Sequence, residues 1–193
     1  MAGDAVALVL TAADPESRAA GVALFPGAAV ESMTREQLRP PAPFEGPLFA
    51  LLAGQPHGSV VGLVVPALGA GAAGERPAPG DLVPVADHVN LESRGPLTGR
   101  WPAGVPRDFP SMTGVYQPAL VRPFGGARVY SSGVVAAGVA DARRLTRFEA
   151  RAVREANCSI VSDSLVPAVL VAAYYGLRLA ACGLVQAARS ERE

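Results

Sequence analysis

The sequence predicts an α/β domain with a largely parallel sheet, and three observations carry that prediction. Two continuous apolar runs of strand length, AVALVLT at 5–11 and SVVGLVVP at 59–66, suit strands covered on both faces. From residue 129 onward, strand-like and helix-like segments alternate. The 18 prolines and 21 glycines cluster between residues 39 and 126, so turns and irregular chain separate two more regular regions. A chain of 193 residues is long enough to bury a core as a single domain.

Residues 5–11 form the first strand, and the polar, proline-bearing 13–17 reads as the loop after it. Residues 20–30 fit either a helix or a second strand. SMTREQL at 32–38 reads as a short helix halted by the Pro-Pro that follows Arg39. PLFALLAG at 47–54 opens with proline and closes with glycine, as a two-turn helix does. The run at 59–66 is a second buried strand, 69–80 a Gly/Ala loop, and DLVPVA at 81–86 a strand in which Pro84 removes a ladder hydrogen bond. Residues 95–126 are irregular yet carry Trp101, Phe109, Met112, Tyr116 and Phe124. So long a loop argues for a ligand site or a subunit interface. Residues 129–139 are a strand. Between 145 and 156, Leu145, Phe148, Ala152 and Val153 recur at helical spacing among arginines, which makes an amphipathic helix. Residues 158–161 are a short strand, 167–175 a helix closed by Gly176, and 177–185 the last strand.

Lys and Arg total 17 and so do Asp and Glu, so no long-range field steers the protein to nucleic acid or an anionic membrane. The apolar run at 5–10 is too short to span a bilayer and lacks a basic flank, and the C-terminal Ala/Val-rich segment is broken by Arg178. The expectation is a cytoplasmic protein without nucleic-acid or membrane partners. Cys158 and Cys182 lack CxxC spacing and read as buried free thiols. No ligand set for a metal is visible, and no cofactor is expected.

Three blocks, in this order, resemble the trimeric purine nucleoside phosphorylases. GDLVPVADHVNL at 80–91 with GPLTG at 95–99 is similar to the family's GD-apolar-DHINL and NPL-x-G elements. FPSMTGVY at 109–116 is similar to FPDMSDAY, and VSDSLVPAVLVA at 161–172 with GLRL at 176–179 to VGMSTVPEVIVA and GLRV. The resemblance implies a mixed, partly closed β-sheet flanked by helices, assembled as a homotrimer. It also implies transfer of ribose between a purine and phosphate, which needs N–H donors and positive charge for the dianion and hydrogen-bonding groups for the departing base.

Against that pattern the chain departs at most chemical positions. The family's glycine-rich phosphate turn after the first strand is here TAADPES at 11–17, without glycine and with two carboxylates. A basic hairpin before the next central strand has no room between residues 38 and 59. TNAAGG becomes PALGAG at 66–71, so Gly69, Ala70 and Gly71 are expected to offer backbone donors. Ser164 matches a phosphate-touching serine, while Asp163 replaces the methionine beneath ribose. An ungapped match puts Arg144 and Leu145 at the base-reading aromatic and glutamate; a register shifted by one helical turn would put Phe148 and Glu149 there. The family's base-binding Thr-Asn falls on Gln186 and Ala187, and the sequence ends at residue 193 without the family's C-terminal helix.

Asp163 and His88 are therefore the candidate catalytic residues, and Ser164, Gly69, Ala70, Gly71, Tyr116, Arg144 and Glu149 the candidate ligand contacts. Each has a plainer reading. His88 suits proton transfer near pH 7, but its block is architectural in the family. Tyr116 fits an interface, Asp163 an exposed position in an emptied pocket, Arg143 and Arg144 a solvated helix start, and His57 a turn. The functional expectation is a diverged phosphorylase-like protein that binds a small, nucleoside-like ligand in the inherited pocket, as a biosynthetic enzyme working without conventional phosphorolysis. The alternatives are an active purine nucleoside phosphorylase or nucleoside hydrolase with substituted residues, and a noncatalytic subunit that stabilises a partner.

Overall fold

The computed structural model describes residues 6–70, 77–92, 95–122, 128–129 and 134–187. Strands β1 (Leu8–Ala12), β2 (Ala29–Met33), β3 (Val60–Gly69), β4 (Leu82–Asn90), β5 (Val134–Gly138), β6 (Ile160–Ser162) and β7 (Arg178–Val185) form one sheet. Helices α1 (Pro15–Leu24), α2 (Arg35–Leu38), α3 (Pro47–Ala53), α4 (Arg147–Glu155) and α5 (Leu165–Tyr174) flank it.

The sheet closes on itself through β3, which pairs with β1 and β6 along one edge and with β7 along the other. Following the pairings gives a ring, β3–β7–β4–β5–β6 and back to β3, from which β1 and β2 extend as a tail. Among the described residues five pairings are parallel and two antiparallel, β3 with β6 and β4 with β7. The sheet is thus mixed and closing, as the resemblance implies, with the parallel bias that the apolar runs imply.

Pro84 sits where β4 changes partner. It is the last β4 residue paired with β7, opposite Cys182, and Val85 is the first paired with β5, opposite Val134. A missing N–H does least harm at such a joint, and the register shift between Val85 and Asp87 bends the strand away from β7. β4 then continues to Asn90, so Asp87 and His88 stand in a strand where the sequence reading ended it at residue 86.

Residues 13–17, read as a loop, open α1 instead. Asp14 Oδ1 accepts from Ser17 N at 2.7 Å, and Pro15 occupies the first helical position. The residue types that punctuate loops also cap helices, and only the following chain decides between them. Gly21 lets α1 lie close on the sheet: a Cβ there would stand 2.6 Å from Thr11 Cγ2. α4 starts where Thr146 and Glu149 form a reciprocal capping box. α5 is buried along almost its whole length against α3, β5 and β7, and Gly138 lies beneath it. Gly176, at φ +67°, ends that segment, and the His57 ring packs on it, so His57 is a turn residue.

Within 95–122 the regular structure is one 3₁₀ turn, Pro118–Leu120. Trp101 packs edge-on against Phe44 and Tyr174 with centroids 5.1 and 5.6 Å apart, which pins the segment to α5. Further on, Leu179 N donates to Val115 O and Gln117 N to Leu179 O, so the chain around Tyr116 adds itself to β7. Phe109 between them is 94% exposed.

Candidate functional site

A polar cleft of about 530 Å³ opens at the C-terminal ends of β1, β2, β3 and β6. In sheets of parallel strands this edge collects loops and helix starts, and it is where ligands sit. Asp163 and Ser164 form its floor, immediately after β6. Ser164 Oγ donates to Asp163 Oδ1 at 2.9 Å, and Ser164 N to Ser162 Oγ at 3.3 Å. Ser162 Oγ in turn donates to Pro66 O at 3.0 Å, which ties β6 to β3.

The second oxygen of Asp163 meets Arg35, whose Nε lies 3.0 Å from Oδ2. Sequence reasoning missed Arg35. The signal was present: Thr34 and Gln37 form a capping box that starts α2 and aims its first residue at the cleft. Arg35 and Arg39, one turn apart, both donate to the carbonyl of Ala140, in the loop after β5. Arg39 also pairs with Glu92 at 2.7 Å. Burial raises the Glu92 carboxyl above its ordinary pKa, with Arg39 pulling it the other way.

Asp14 lines the same cleft, but its side chain already caps α1. A helix N-terminus attracts anions through its free N–H groups and dipole. Here a carboxylate of the chain itself takes that place.

Arg144 also lines the cleft, although its side chain is 87% exposed and pairs with Asp141 at 3.5 Å. Its neighbour Arg143 donates to Gln186 Oε1 at 3.1 Å. Gly69 and Ala70 fall in an adjoining, mostly apolar hollow; Gly69 pairs with Ile160 in the β3–β6 ladder, and Ala70 N donates to Ser159 O. Gly71 lies outside the described residues.

Three further candidates, His88, Tyr116 and Glu149, stand apart from Asp163. His88 Nδ1 lies 2.8 Å from Tyr116 Oη, and neither residue lines the cleft. Burial lowers the His88 pKa, opposed by Asp87, and raises that of the Tyr116 phenol. The imidazole and the phenol share this one hydrogen bond, with the donor set by the imidazole tautomer. Glu149 Oε2 accepts from Thr146 N and Oγ1 at 2.7 and 2.8 Å, bonds that depress its pKa. It borders a separate hollow with Leu91 and Phe148, and Arg144 is the candidate common to that hollow and the Asp163 cleft.

Among the described residues no three His, Cys, Asp or Glu side chains gather as a metal site would need, and no helix is long and apolar enough to cross a membrane.

A mixed sheet closing through β3, with a cleft at its C-terminal edge, defines the class as a nucleoside-phosphorylase-like fold. Solved structures similar to this chain include those of Schistosoma mansoni purine nucleoside phosphorylase. The complex with a novel monocyclic inhibitor is 22% identical with a TM-score of 0.52, over 66% of this chain and 50% of that one. The schistosomal complex with hypoxanthine is also 22% identical at 0.52, over 69% and 52%, and the inosine complex 22% at 0.51, over 69% and 50%. The chain thus spans about half the length of these enzymes. No family model matches the sequence, and no curated protein matches it either.

Proposed function

We propose that this chain is a repurposed biosynthetic enzyme that binds a small molecule in the Asp163 cleft and works without conventional phosphorolysis. The observation that carries the reading is the Asp14 carboxylate on the N-terminus of α1, facing the cleft where the resemblance expects a glycine-rich phosphate turn. A phosphate dianion there would meet the Asp14 carboxylate at contact range, and like charges repel. Asp163, oriented by Arg35 and Ser164, is left to accept a hydrogen bond or a proton from the bound molecule. The similar schistosomal enzyme has been crystallised with inosine and with hypoxanthine, which supports a ligand of nucleoside size.

The test is release of free base from inosine and adenosine, with and without phosphate. Turnover with phosphate at the order of one per second, ordinary for enzymes, overturns the proposal. One specific observation favours a second reading, nucleoside hydrolysis. Three carboxylates, Asp14, Asp141 and Asp163, line the cleft, and acid-base attack by water would use a pair of them. Base release that ignores phosphate would establish it.

Assembly into a homotrimer belongs to the same proposal. It is supported by Phe109, fully exposed within a block that lies at subunit contacts in the resembling family. Light scattering from a clean monomer would remove that part of the proposal and leave the cleft reading intact.

A further inference from the structure

The polar cleft does not end at Asp163. It shares Leu68, Ala142 and Gln186 with a second hollow of about 480 Å³, walled by Ala150 and Val153 of α4, Val161 of β6 and Val185 of β7. Among the described residues no carboxylate lines this hollow, and its one charged side chain is Arg154. Arg154 forms no ion pair among the described residues.

This chemistry selects against a nucleobase. A purine or pyrimidine carries N–H and C=O groups around its rim, and those that face Ala150, Val153, Val161 and Val185 would go without partners, each at the desolvation penalty of an unpaired polar group. A hydrocarbon or aryl body meets the same walls with no such loss. A guanidinium at the edge, with no acid among the described lining residues, adds a preference for an anion.

We propose that the hollow is the specificity pocket of the Asp163 cleft, and that it takes an apolar body bearing a carboxylate or phosphate that Arg154 receives. The inference rests on the reading of the cleft as a ligand site and names the class of ligand. The body lies against Ala150, Val153 and Val161. Through the shared border at Ala142 and Gln186, its far end reaches Asp163.

The test is titration calorimetry of the full chain with phenylbutyrate, phenylbutyl phosphate, uncharged phenylbutanol and inosine. Saturable binding of an anionic probe, about tenfold tighter than phenylbutanol as one charge-assisted bond allows, is expected. Carboxylate and phosphate arms tell the two anion sources apart. Arg154→Gln should bring the anion down to the level of the alcohol, and Ala150→Phe should abolish both, with thermal unfolding confirming that each variant folds. Equal binding of anion and alcohol, or indifference to Arg154→Gln, overturns the proposal. Inosine binding that is lost in Asp163→Asn but kept in Ala150→Phe, with no anionic probe bound, overturns the specificity pocket while the cleft reading stands. Silence from all four probes sinks both.

Discussion

Arg35 Nε stands 3.0 Å from Asp163 Oδ2, across a gap of 128 positions in the sequence. The pair joins the start of α2 to the end of β6 and fixes the direction in which the Asp163 carboxylate presents its free lone pairs. Its value is positional. Arg35 is 44% exposed, so solvent screens the pair and its removal should cost only about 0.5–1 kcal/mol of stability. Arg35→Ala is expected to weaken ligand binding by more than it lowers the urea midpoint, and Arg35→Lys to restore part of the binding. Equal losses in both would reduce Arg35 to a structural residue.

Glu149 offers a test of helix register. Its carboxylate closes the capping box of α4 and lies outside the Asp163 cleft. Thr146→Ala should cost about 1 kcal/mol in chemical unfolding, and Glu149→Ala should lower the unfolding midpoint in the same direction, with little change in ligand affinity. A Glu149→Ala variant that unfolds normally but loses binding would bring back the shifted register, in which this glutamate reads the ligand.

Gly138 marks the tightest contact between β5 and α5. A Cβ on it would fall 2.4 Å from Val166 Cγ2 and 2.8 Å from Val166 Cβ, with no flexible chain end to yield. Gly138→Ala should destabilise by about 1–3 kcal/mol through overpacking, and Val166→Ala in the same chain should recover part of that. A neutral Gly138→Ala would mean that α5 rides farther from the sheet.

The His88–Tyr116 pair predicts a pH dependence. Burial sets the folded pKa of His88 below its ordinary 6.5, so the folded state binds fewer protons than the unfolded one as pH falls. Stability is therefore unaffected by His88 well above pH 6.5, declines as pH drops through that value, and levels off once the folded imidazole also titrates. The difference between wild type and His88→Gln isolates this from the buried Glu92, whose raised pKa acts in the opposite sense. A difference in melting temperature that stays flat from pH 8 to pH 5 would contradict it.

Most elements were legible because their causes are local. The apolar run of β3, the spacing of Leu145, Phe148, Ala152 and Val153, and the proline and glycine that bracket α3 each act within a few residues. The failures are equally specific. Asp14 and Pro15 carry the chemistry of a turn and of a helix start alike, and α1 was decided by the sheet surface that Gly21 lets it approach. β4 runs to Asn90 because β5 is there to pair with it, which no local pattern announces.

The sequence by itself determined the α/β alternation, the irregular middle, the resemblance of three blocks to nucleoside phosphorylases, and the absence of glycine from the turn after β1. Only the tertiary structure decided which candidates meet. It brought Asp163 and Ser164 to Arg35, set His88 on Tyr116 outside the cleft, and turned Glu149 into a helix cap. The physical reason is range: hydrophobic periodicity and capping act over one or two turns, whereas the cleft is made by strand ends that only sheet closure through β3 brings together.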